Sequence, residues 1–114
     1  MSIFGEGSTA ATEELVERAL NWMSTNVGAL SQAIANRQHV EQWIKTVEAE
    51  QKSLHKSDAA HVQEREARAS QEYRDALDAF QDAVKIEQKL RYTWQLADTV
   101  IDVWRTKAAN ERRV

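Results

Sequence analysis

From Leu30 onward, apolar side chains return at alternating steps of three and four residues. One heptad position takes Leu30, Arg37, Ile44 and Gln51, and the other takes Ala33, Val40, Val47 and Leu54. This spacing keeps one stripe of a helix turned toward a neighbour, as in a coiled coil. Two of the eight seam residues are polar, Arg37 and Gln51, which weakens the seam and helps to set its register. Ile34 and Trp43 widen the apolar face beyond two positions, as a helical bundle requires. Upstream, Leu15, Val16, Ala19, Leu20, Met23 and Val27 form a helical stripe of their own. Thr12 suits the N-cap of that helix, and Glu13 and Glu14 suit the positive end of its dipole.

Downstream, Ser53 to Asp58 reads as a turn. Lys52 and Lys56 suit a helix C-terminus, and Ser57 or Asp58 suits the next N-cap. Ala59 to Arg68 is short, charged and poor in large apolar groups. Ser70 looks like a further N-cap, with Glu72 in the turn after it, so a break is expected near Ala69–Ser70. The last helix should run from about Gln71 to about Asn110 and carry three apolar rows. The first holds Ala76, Ala83, Leu90, Ala97 and Trp104, and the second Ala79, Ile86, Thr93 and Val100. A third, flanking row holds Phe80, Trp94, Ile101 and Ala108. Three rows call for more than one neighbour. Antiparallel packing of Leu30–Leu54 would set Ile44 and Val47 opposite roughly Phe80 to Leu90. The excess around Trp94 to Trp104 then needs the first helix or another subunit.

Composition supports a helical chain almost end to end. There is no proline, and of three glycines two lie in the first seven residues. Only Gly28 interrupts the rest, and Asn26-Val27-Gly28 fits either a turn or a glycine tolerated inside one long helix, at about 1 kcal/mol. The expected fold is all-α: a long helical hairpin or coiled coil with an additional N-terminal helix, in an oligomeric bundle. A flexible lead, 1–11, with apolar Ile3 and Phe4, would precede a single helical domain, 12–114, with helices at about 12–26, 28–54, 58–68 and 70–110. The formal net charge of −3 is close to balance, so no whole-molecule field draws the chain to nucleic acid or anionic lipid. Absence of cysteine excludes disulfides and thiolate chemistry. The first residues lack a basic region and an apolar run, and no run of about 18 apolar residues occurs anywhere. A cytoplasmic protein without a membrane partner is the expectation.

Candidate chemistry is sparse. His39, His55 and His61 stand in polar settings. Asp58-x-x-His61 has the spacing used by helical di-iron sites, but those need the pair twice, plus two more inward carboxylates. No glycine-rich phosphate loop and no nucleophile elbow is present. Glu64 and Glu66 alternate with Arg65 and Arg68, the pattern of a solvated, ion-paired face. No metal, cofactor or enzymatic activity is expected. Four tryptophans are many for 114 residues. Trp43, Trp94 and Trp104 are candidate core or interface anchors. Around Trp104 the tail carries Arg105, Lys107, Arg112 and Arg113 against Glu111. This is either a contact for a partner or single-stranded nucleic acid, or a helix end whose cations complement the dipole.

Two stretches carry a resemblance. Glu64-Arg65-Glu66-Ala67-Arg68-Ala69-Ser70-Gln71-Glu72-Tyr73 is similar to the arginine- and glutamate-rich run, leading to a turn and a tyrosine, of small helical proteins of phages and prophages. Lys89-Leu90-Arg91, then Ile101-Asp102-Val103-Trp104-Arg105-Thr106-Lys107-Ala108-Ala109-Asn110-Glu111-Arg112, resembles their C-terminal I-E-V-W-R-T-x-x-A-N-x-R signature. The resemblance spans roughly residues 37 to 112. Members often carry proline near the position of Gln71, which this chain does not. The resemblance implies genes for DNA recombination and replication as the setting, near single-strand annealing proteins. The function expected is a non-enzymatic phage accessory protein that self-associates and binds a protein such as a recombinase. The alternatives are a coiled coil of the phage particle and an inhibitor of a host protein.

Overall fold

A computed structural model describes residues 12–113. The described residues form three helices, α1 (Glu13–Ser53), α2 (Ala60–Ala69) and α3 (Gln71–Arg112), and no strand. The fold is an all-α helical hairpin whose arms are α1 and α3. The lead 1–11, with Ile3 and Phe4, lies outside the described residues.

The termini of the helices follow local side-chain chemistry. Thr12 caps α1, its Oγ1 accepting the Leu15 amide hydrogen at 3.2 Å. Of the two readings of Asn26-Val27-Gly28, the glycine tolerated inside one long helix is the one found: α1 passes through it without interruption. One glycine costs a helix only about 1 kcal/mol, and the heptad pattern continues across it. The expected N-terminal helix is therefore the first third of α1. At the other end, α1 stops at Ser53, so Leu54 leaves the seam and is 70% exposed in the turn that follows. Ser57 and Asp58 do not cap α2. Ala59 holds that position with no side-chain cap, while the Asp58 carboxylate faces the His55 ring at 3.3 Å. Ser70 makes the predicted break. Its hydroxyl donates to the Ala67 carbonyl at 2.6 Å, ending α2, and accepts the Tyr73 amide hydrogen at 3.2 Å, starting α3.

The helices divide into two compact units. In one, which holds described residues 12–30 and 89–113, Leu15 and Ala19 of α1 pack with Ala97 and Ile101 of α3. Val16, Met23 and Val100 close around them. Trp22 meets Trp94 edge-on, with ring centroids 6.3 Å apart at 64°. The first helix thus covers the excess apolar length around Trp94. The other unit, Ser31–Gln88, buries Ala33, Val47, Ala67, Ala76 and Ala83. Ala67 is the contribution of α2, which is also tied to α1 by Arg68, 3.5 Å from Glu48.

Two expectations about α3 change. Its first and third rows carry the residues that are buried, whereas Ile86, of the second row, is exposed. Ala79 and Ile86 of the second row stay exposed, whereas Val100 of the same row packs on the Leu15–Ile101 core. The pairing is also displaced. Val47 shares a groove with Ala76 and Ala79, upstream of the expected Phe80 to Leu90. The register is fixed where Arg37 meets Glu87.

Candidate interaction surfaces

Glu87 is the buried charged residue among those described, 5% exposed, in the third apolar row of α3. Arg37, the polar seam residue of α1, holds it with two hydrogen bonds. Arg37 Nε donates to Glu87 Oε2 at 2.9 Å and Nη2 donates to Oε1 at 3.2 Å. The remaining guanidinium nitrogen donates to Glu41 at 3.1 Å. The hydrogen bond to Glu87 raises the Arg37 pKa above its usual value, opposed in part by desolvation. A fork of this geometry satisfies a carboxylate that burial would otherwise destabilise. Arg37 stood out in the sequence as a polar seam residue. Glu87 was missed, although it falls seven residues after Phe80 and seven before Trp94, inside an apolar row.

The four basic tail residues are all exposed. They do not share one face. At 100° per residue, Arg105 and Arg112 of α3 lie within about 20° of one another, and Arg113 follows the end of the helix. Lys107 points about 200° from Arg105 on the same basis and lines a groove with Thr12, Glu13 and Trp104. Arg105 has only a loose ion pair, 3.9 Å from Asp102.

The tryptophans take three different places. Trp94 is half-buried against Trp22, and Trp104 is half-buried in the groove at the start of α1. Trp43 is 47% exposed. It walls a second groove of about 300 Å³ whose apolar lining is Val47, Ala76 and Ala79. The rim carries Glu50, Glu72 and Asp75, with no cation among the lining residues.

His39 and His61 are exposed, and His55 faces Asp58. Among the described residues, no group of three histidine or acidic side chains is placed to hold a metal ion. No helix among them is long and apolar enough to cross a membrane. The solvated face read from the sequence is present, with Arg68 on Glu64 at 2.7 Å and Arg65 on Glu66 at 3.7 Å. In comparisons with known proteins, no family model, no curated protein and no solved structure matches the chain.

Proposed function

We propose that this chain is a non-enzymatic helical interaction module that works as a homo-oligomer and binds a protein partner. The observation that carries the reading is surface left uncovered. Leu20, Val27, Tyr92, Leu96 and Val103 stand about half exposed on a unit whose core is four residues. Exposed apolar area of this kind is covered by association.

The setting proposed is cytoplasmic, as an accessory to phage or prophage DNA recombination or replication. Its support is the run from Ile101 to Arg112, which resembles proteins encoded with such genes. The partner proposed is a protein of that machinery, with the exposed helical faces as the docking surface. Multi-angle light scattering at about 10 µM tests the first part: a mass of 26 kDa or more is expected, and a 13 kDa particle would refute it. Affinity capture from induced cells, with and without nuclease, tests the second. A recombination or replication protein retained after nuclease supports the setting; capture that vanishes with nuclease replaces the protein partner by nucleic acid.

A further inference from the structure

The groove walled by Trp43 opens on a strip of alternating apolar and acidic side chains that lies within the unit Ser31–Gln88. On α3, Glu72, Asp75, Ala79, Asp82 and Ile86 follow one another in steps of three and four. At about 100° per residue they fall within about 80° of one another. All five are exposed, Ile86 at 55%. Across the groove from Glu72, Asp75 and Ala79, α1 presents Trp43 and Glu50. Steps of three and four form the seam along which one helix receives another. No residue of α2 lines this groove, so the place beside it is open.

The negative charge of the strip is uncompensated. Elsewhere in the unit the glutamates are paired: Glu41 and Glu87 with Arg37, Glu48 with Lys52, Glu64 with Arg68, and Glu66 with Arg65. Glu50, Glu72, Asp75 and Asp82 have no ion-pair partner among the described residues, and Asp75 accepts the neutral Gln71 amide at 2.7 Å. The nearby cations are turned away. By the same helical geometry Arg74 and Lys85 lie about 120° and 100° from Ile86, and Lys45 and Lys52 about 160° and 180° from Trp43. Lys89, the next residue at the spacing of the strip, ends the acidic run. A face that only solvates carboxylates has no need of a half-exposed indole and an exposed isoleucine among them; apolar groups so placed are what a partner covers.

We infer that this strip is the docking groove for a basic amphipathic helix of a partner protein. That helix lays an apolar stripe on Trp43, Val47, Ala79 and Ile86 and sets lysines or arginines against Glu50, Glu72, Asp75 and Asp82. Glu72 to Ile86 spans about 21 Å, so the occupant is about four turns long. Arginine also stacks on indole, which gives Trp43 a second contact. The carboxylates repel nucleic acid and anionic lipid. The basic tail of a second copy is a poorer match, because Asp98 and Asp102 share the helix face of Arg105 and Arg112, and Asp102 lies 3.9 Å from Arg105. This rests on the protein-binding role proposed above and names its surface and the chemistry of its partner.

Two measurements on the full chain test it. The first uses a labelled synthetic helix of about 15 residues, with leucine at every third or fourth position and lysine or arginine elsewhere, followed by fluorescence anisotropy. It should bind wild type, and a copy with glutamate for each cation should not. Trp43→Ala, and Glu72→Lys with Asp75→Lys, should each weaken binding by about 10-fold or more. Glu17→Lys with Asp98→Lys, the same charge change at exposed positions off the strip, should stay within about threefold. Helical circular dichroism checks that each variant is folded. No binding to wild type, or equal losses from the strip and control charge variants, would overturn the groove. The second measurement repeats the affinity capture with the same variants. A protein kept by wild type and the control, lost from both strip variants, and crosslinked beside Trp43 through a lysine- or arginine-rich helix supports the proposal. A captured protein that stays on the strip variants leaves the protein-binding role standing and removes this groove from it. If wild type retains no protein after nuclease, the role and the groove fall together. Self-association lost in Trp43→Ala would assign the strip to a second copy and overturn the proposal.

Discussion

Ile101 offers the sharpest test of the packing between α1 and α3. It is 8% exposed and sits with Leu15, Ala19 and Ala97. Truncation to alanine removes three carbons. At about 0.8 kcal/mol per buried methylene, the transfer loss is about 2.4 kcal/mol. The cavity left between two helices adds to it, giving about 3 kcal/mol in all. In a chain of this size that is a fall in Tm of more than about 10 °C. Thr99 is the control. It lies two residues away on an exposed face, and its hydroxyl donates only to the Gln95 carbonyl of its own helix at 2.9 Å. Thr99→Ala should change stability by no more than about 0.5 kcal/mol. Urea unfolding followed by helical circular dichroism, at one fixed protein concentration, reads both. The m value should hold while the midpoint moves. Equal effects of the two substitutions, or a loss below about 1 kcal/mol for Ile101→Ala, would show that the two helices do not meet at this register.

Gly28→Ala should stabilise the protein by about 0.5–1 kcal/mol, because an added Cβ at Gly28 meets nothing within 4 Å and the helix is continuous there; a loss in thermal denaturation would mean the chain bends at this point. Ser70→Ala should cost about 1 kcal/mol or more, since one hydroxyl serves the end of α2 and the start of α3; amide exchange should quicken at Tyr73, and unchanged protection there would count against the cap. Arg37→Leu should destabilise the chain by stranding buried Glu87, and Arg37→Leu with Glu87→Leu should recover most of the loss; a double variant no better than the single one argues against the pair. The raised Arg37 pKa stabilises the fold below the guanidinium's unfolded value and is lost only above its folded value, so the difference between wild type and the double variant, Arg37→Leu with Glu87→Leu, should be flat from about pH 6 to 10.

Much of the fold was legible from periodicity. The seam Ala33, Val40, Val47 and the row Ala76, Ala83, Ala97 stand in the sequence at heptad spacing, and burial follows them. Thr12 and Ser70 were legible as caps because a hydroxyl ahead of a helical stripe has one common local use. The misplaced features depend on what periodicity does not encode. Leu54 has seam spacing, but the helix ends one residue earlier, and no local signal separates a last helical residue from a first turn residue. Gly28 is a breaker by propensity and was outweighed by the packing on either side. The axial register was missed because a heptad pattern repeats: Val47 against Ala76 and Val47 against Ala83 satisfy the same spacing. Among the candidate site residues, the exposure of the basic tail followed from its lack of apolar neighbours. The partition of the tryptophans did not, since Trp43 and Trp94 both sit beside apolar rows and differ only in what the opposite helix presents.

That degeneracy explains the placing of a charged pair in the seam. Of the nine buried hydrophobic residues among those described, six are alanine. Alanines let two helices come close, but each buries a single methyl, so sliding one helix along the other by a heptad changes the apolar gain very little. Such a seam has weak preference for any one register. Arg37 and Glu87 supply it, because a shift of seven residues leaves a carboxylate buried among alanines with no cation, a penalty larger than any single methyl contact. The same alanines keep the core thin, which leaves Leu20, Leu96 and Val103 about half exposed. Register is thus set within the chain by one buried ion pair, and the self-association proposed above would cover the apolar side chains that the thin core leaves exposed. A hairpin built this way is suited to holding a defined surface in place for another subunit more than to standing alone.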